Sequence, residues 1–210
     1  MVRTISFVAL GNSLTVGFIP EAFPMNYPYT EFLKEMIDDF LEELGNDTAE
    51  IKIINIGING ELTGDMLLRF RRDVIALKPN YVIILGGTND IGWGVPVEEI
   101  FSGLAKMFQM AIDNRIEPIG CTVPSVLGWD EGIQPRLRLN ELLMRFCHEK
   151  EILCADIFAK TCDPETRRLR ADYSSDGLHL NVPGYRRMAE TIFEEAIKTI
   201  LIRELDVYQK

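Results

Sequence analysis

Five short apolar runs, rich in β-branched residues and spread along the whole chain, constrain its fold more than any other feature. They lie at 4–10, 51–56, 81–86, 116–123 and 152–157, the second reading Ile-Lys-Ile-Ile-Asn-Ile and the third Tyr-Val-Ile-Ile-Leu-Gly. Runs this continuous in apolar residues are what strands buried on both faces require, the situation in a parallel sheet. Helical patterns fall between them at 28–44, 64–77, 97–113 and 134–150, with a last one at 183–205. Asn181 followed by Pro183 suits the start of that last helix, a polar cap and then a proline in the first turn. Strand and helix alternating in this way predict an α/β protein with a five-stranded parallel sheet between two helical layers. The 210 residues carry no repeat, low-complexity tract or linker, and read as one domain, 1–210.

In such a sheet every strand-to-helix loop opens on the same edge, so the loops are read together. The first strand runs into Gly11-Asn12-Ser13, the second into Gly57-Ile58-Asn59-Gly60, and the third into Gly86-Gly87-Thr88-Asn89-Asp90. The segment after the fifth leads to Asp176-Gly177-Leu178-His179. Ser, Gly, Asn, Asp and His are thereby expected at one rim.

A serine at a strand's carboxyl end is a candidate nucleophile, but its hydroxyl needs a neighbouring base. The chain has two histidines, and His148 sits in a helical run beside Glu149 and Lys150, which reads as a solvated face. That leaves His179. Asp176, three residues earlier, can reach the same side of one turn, with Asp172 and Asp163 as more distant rivals. Taken singly, each residue has an ordinary alternative. Ser13 and Asn12 are favoured helix caps, Gly60 suits a plain turn, and Asn89 and Asp90 suit caps or turns.

Taken together, the blocks resemble the SGNH (GDSL) hydrolase family. Its Gly-Asp-Ser-Leu block is similar to Gly11-Asn12-Ser13-Leu14, its glycine block to Asn55-x-Gly57-x-x-Gly60, its Gly-x-Asn-Asp to Gly87-Thr88-Asn89-Asp90, and its Asp-x-x-His to Asp176-x-x-His179. The blocks occur in family order across nearly the whole chain. The resemblance implies a flavodoxin-like three-layer α/β/α sandwich and a serine-dependent carboxylic ester hydrolase acting through an acyl-serine. It also implies a Ser13–His179–Asp176 triad, and an oxyanion hole made by the N–H groups of Ser13 and Gly60 with the Asn89 amide. It implies no metal and no cofactor. One position departs from the pattern: Asn12 stands where the family carries aspartate, which removes a charge beside the nucleophile.

The family's range spans lipases, thioesterases, lysophospholipases and carbohydrate acetylesterases, so the substrate is expected only as a small-molecule ester. Apolar and aromatic segments follow the site blocks at 18–29, 91–96 and 123–129. They suit an acyl chain or a sugar ring, and equally packing against the domain or a second copy of the chain, which leaves a homo-oligomer open. A rival of another class is a non-catalytic nucleotide- or ligand-binding flavodoxin-like module. Neither Gly-x-x-x-x-Gly-Lys-Ser/Thr nor a Gly-x-Gly-x-x-Gly after a strand is present, and that rival leaves Asp176 and His179 without a task. A net charge of −10 argues against nucleic acid as a partner. Arg69, Arg71 and Arg72 read as a solvated helix face at least as well as a binding patch. The first apolar run is too short for a membrane span, so stable membrane insertion is not expected. Four cysteines without C-x-x-C spacing read as reduced thiols. The expected location is the cytoplasm.

Overall fold

The apolar runs become strands because each lies between two helical layers that bury it. The structure, a computed structural model, describes residues 3–46 and 48–205; residues 1–2, 47 and 206–210 of the expected 1–210 domain lie outside them. The first half of the chain forms β1 (Arg3–Gly11), α1 (Ser13–Val16), α2 (Tyr29–Glu43), β2 (Ala49–Asn55), α3 (Thr63–Asp73) and β3 (Tyr81–Leu85). Then come α4 (Thr88–Gly92), α5 (Val97–Asp113), β4 (Glu117–Cys121), α6 (Ile133–Glu149), β5 (Cys154–Ala155) and α7 (Ile157–Thr161). The last helix is α8 (Val182–Ile192), continued through a π-helical turn at Phe193–Ile197 into α9 (Lys198–Glu204). Asn181 caps α8, its side chain accepting from the Gly184 N–H at 2.9 Å, with a proline in the first turn.

All strand pairs are parallel, in the order β2-β1-β3-β4-β5. Alternate residues of β1 serve opposite layers, as the two-residue period of a strand dictates. Ile5, Phe7 and Ala9 meet α2, α8 and α9 through Leu33, Ile37, Tyr185, Met188 and Leu201. Val8 and Leu10 meet α3, α5 and α6 through Met66, Phe70, Leu104, Phe108 and Leu139. The three-layer sandwich is the expected one.

Two strands differ from the sequence reading. β2 lies at the edge of the sheet and buries only Ile51 fully, leaving Ile54 exposed, so an apolar run marks a half-covered strand here. The run at 152–157 yields only a two-residue strand, since it is at the opposite edge and Ile157 already begins α7. Among the described residues no helix is long and apolar enough to cross a membrane.

The strand order reverses direction between β1 and β3, which leaves a crevice at their carboxyl ends. The loops bearing Ser13 and Asn89 flank that crevice.

Candidate active site

Ser13 is the first residue of α1, and the residue before it does the capping. Asn12 Oδ1 accepts from the Leu14 N–H at 3.1 Å, so the Ser13 hydroxyl is not spent on the helix terminus. Its partner is His179, whose Nε2 lies 3.1 Å from Ser13 Oγ. His179 Nδ1 lies 2.8 Å from Asp176 Oδ2. A carboxylate can only accept, so Nδ1 carries the proton and Nε2 turns a lone pair to the serine. The rings of His179 and Phe18 pack nearly perpendicular to each other, with 5.0 Å between centroids.

A tight turn sets the Asp176–His179 pair. The other carboxylate oxygen, Oδ1, accepts from the N–H groups of Leu178 (2.9 Å) and His179 (2.7 Å). The Ser175 N–H closes the turn on the His179 carbonyl at 2.9 Å. Burial opposes the Asp176 charge, but the His179 ring and the two backbone donors outweigh it and hold the carboxyl below its ordinary value. The rival aspartates are engaged elsewhere. Asp172 pairs with Arg170, and Asp163 accepts from Thr166 and Glu165 in its own turn.

Gly60 has φ +79°, a left-handed conformation that a side chain would strain, while a Cβ there would meet no neighbour. The need for glycine is therefore conformational. Its loop is tied down on three sides. The Ile58 N–H donates to the Gly11 carbonyl at 3.0 Å, and Asn89 Nδ2 donates to the Glu61 carbonyl at 2.9 Å. The Glu61 carboxylate is gripped by Arg69, whose Nε and Nη2 stand 2.6 and 2.5 Å from its two oxygens. Among the described residues, the backbone N–H groups of Ser13 and Gly60 have no protein acceptor. Asp90 does not face the serine. It is buried and takes three hydrogen bonds from Thr63, two from the N–H and one from the hydroxyl at 2.6 Å, capping α3.

Arg69 corrects the sequence reading. Arg71 and Arg72 are exposed as expected of a solvated face, but Arg69 is only 7% exposed and belongs to the wall behind the site. It shares the buried stripe of α3 with Thr63, Met66 and Phe70, Met66 lying three residues before it. His148 is exposed on α6.

A cleft of about 490 Å³ that Asn89 and Asp176 help to line is walled also by Trp93, Leu127, Trp129 and Leu178, among others. Of the apolar segments expected near the site, Ile19, Tyr29 and Val123 go to the interior, Val126 is buried in the cleft wall, and Trp93 is 80% exposed. Arg136, unremarked in the sequence, also lines this cleft. Among the described residues no group of three or more His, Cys, Asp and Glu side chains is placed to hold a metal ion.

Asp176 shares the direction of its shift with Asp73, Asp130, Asp163 and Asp172, which are lowered first by Arg72, Arg168, Thr166 and Arg170 respectively. Carboxyls that titrate lower folded than unfolded stabilise the fold above their unfolded value, about 3.9, and lose that contribution as pH falls through the folded values. The thermal midpoint is therefore expected to drop between about pH 5 and pH 3. A midpoint rising on acidification over that window would contradict the assignment.

Residues 9–187 match the GDSL-like Lipase/Acylhydrolase family. A stretch of 107 residues is 31% identical to an arylesterase of Vibrio mimicus, covering 51% of this chain and 48% of that protein. Another of 86 residues is 38% identical to the uncharacterized lipoprotein YqeF of Bacillus subtilis, covering 40% of this chain and 31% of that protein. The chain thus spans less than half the length of these curated relatives. In three dimensions it resembles a GDSL-like lipase from Bacteroides thetaiotaomicron, with a TM-score of 0.71 and 26% identity over 93% of this chain and 89% of that one. The match runs from the first strand into the last long helix, and the chain belongs to the GDSL-like lipase/acylhydrolase family.

Proposed function

We propose that this protein hydrolyses carboxylic esters by two-step acyl transfer through Ser13. The observation that carries this reading is the chain of contacts from Ser13 Oγ to His179 Nε2 at 3.1 Å and from His179 Nδ1 to Asp176 at 2.8 Å. His179 takes the serine proton as Oγ attacks the ester carbonyl, and Asp176 stabilises the imidazolium that forms. The tetrahedral oxyanion is met by the N–H groups of Ser13 and Gly60 and by the Asn89 amide. His179 then gives its proton to the departing alcohol. Water, deprotonated by the same ring, releases the acid and restores the serine.

The arylesterase relative and the aromatic walls of the cleft support an ester with a flat or apolar part. The net charge of −10 supports a small molecule over nucleic acid, and four free cysteines support a reducing compartment such as the cytoplasm. Residues 1–210 are taken as one domain.

A chromogenic ester series from acetyl to long acyl, run beside a fluorophosphonate serine probe, tests the reading. Turnover of at least one chain length is expected, with labelling on Ser13. A folded protein inert to both the series and the probe would make it a binding relative instead.

A further inference from the structure

The wall of the cleft holds a cation that the reaction above does not use. Arg136, on the first turn of α6, is 0% exposed. Its Nη1 donates to the Gly132 carbonyl at 2.8 Å, but Nε and Nη2 are buried with no protein partner among the described residues. Among the described residues no carboxylate lies within ion-pair distance of it, although the other buried arginine, Arg69, is paired twice. The Trp129 ring lies over the guanidinium, with its centroid 5.4 Å from Cζ. Both groups crowd onto Gly132, where a Cβ would stand 2.4 Å from the indole and 2.7 Å from Arg136 Nη1. Burial pushes the guanidinium down to about 10, which still leaves it charged at neutral pH.

Nε and Nη2 share one edge of the guanidinium, and elsewhere in this molecule that edge is the one that grips carboxylates. Arg69 presents it to Glu61, Arg168 to Asp130 and Arg170 to Asp172. A buried charge with an unfilled two-pronged fork is costly to a folded protein, whereas a planar oxyanion matches it well. We propose that Arg136 binds an anionic group of the substrate, so that the cleft takes esters whose acyl or alcohol part carries a carboxylate or a phosphate. The placement relative to the ester carbonyl rests on the reading of Ser13 and Asn89 given above, since Asn89 and Arg136 line the same cleft. The anion site itself does not depend on that reading.

The test separates the two. Succinate and inorganic phosphate are titrated into wild type, Arg136→Met and Arg136→Lys, each carrying Trp93→Phe so that Trp129 fluorescence alone reports. Saturable binding of at least one anion is expected in the parent, at least tenfold weaker in Arg136→Met and intermediate in Arg136→Lys, which keeps the charge but loses the fork. Succinate and phosphate compared directly tell which anion the fork prefers. In parallel, mono-p-nitrophenyl succinate is compared with p-nitrophenyl butyrate. The ratio of their kcat/KM values is expected to fall at least tenfold in Arg136→Met. Arg136-dependent binding without any esterase activity would uphold the anion site and defeat the hydrolase reading. Hydrolysis with an unchanged ratio, and anion binding absent or equal in all three proteins, would overturn the anion site alone. A lower thermal midpoint in both variants, with anion binding unchanged, would likewise overturn it by showing a merely structural arginine.

Discussion

Ser13→Ala is expected to lower kcat/KM by at least about 10³-fold on any ester that the wild-type protein proves to cleave, and His179→Ala to do the same. The expectation follows from how little else either side chain does. The Ser13 hydroxyl contacts His179 and leaves the capping of α1 to Asn12, so its removal costs no cap. Alanine at the first helical position is well tolerated, and the thermal midpoint of the variant should stay close to that of wild type. On the proposed mechanism the two residues act as a unit: without the base the hydroxyl is not activated, and without the hydroxyl the base has no proton to take. The double variant should therefore lose no more than the worse single variant. Asp176→Asn extends the test. It keeps the turn largely intact but replaces an acceptor-only group facing Nδ1, which favours the wrong tautomer of His179. Measured kcat/KM values for the two single variants and the double one decide the matter. Losses that multiply would show that the two side chains do not act as a unit, and turnover near wild type in either single variant would remove that residue from the chemistry.

How much of this could be read from the chain depends on the range of the interaction involved. The strands were legible because burial between two layers imposes an apolar run that needs no knowledge of its neighbours. Their order was not, since β1 pairs with both β2 and β3 through crossovers whose direction is set by the packing of whole helices. For the same reason the edge position of β2 was hidden, as Ile-Lys-Ile-Ile is as apolar as a central strand. The choice of Asp176 over Asp172 and Asp163 rested on closeness to His179. What engages the two rivals, Arg170 for one and Thr166 for the other, is a matter of local turns that composition does not display. Arg69 and Arg136 were legible in principle. Each sits on the buried stripe of its helix, Arg69 with Met66 and Phe70, Arg136 with Ile133, Leu139 and Leu143. A charge at a core position of an amphipathic pattern demands a partner, and asking for that partner leads to Glu61 in one case and to the cleft in the other.

Asn89→Ala is expected to lower kcat by about 10²–10³-fold with KM changed little, the signature of an interaction made in the transition state and not before. The amide has two N–H groups, and one is already committed to the Glu61 carbonyl at 2.9 Å. That bond fixes the plane of the amide and leaves the second N–H uncommitted, available to the oxyanion that the proposed mechanism requires. It also links Asn89 to the Gly60 loop, so the substitution removes a donor and loosens the segment that carries another. Two measurements separate these effects. If the donor dominates, Asn89→Ala keeps the wild-type thermal midpoint and KM, because Asp90 still holds α3 through Thr63 and Arg69 still holds Glu61. If the loop dominates, KM rises and the midpoint falls. Asn89→Asp sharpens the contrast: it has nearly the shape of asparagine but presents a carboxylate to both the Glu61 carbonyl and the developing oxyanion. It should be the slower of the two variants near neutral pH. An Asn89→Asp protein faster than Asn89→Ala at neutral pH would show that shape and not hydrogen-bond donation is what this position supplies.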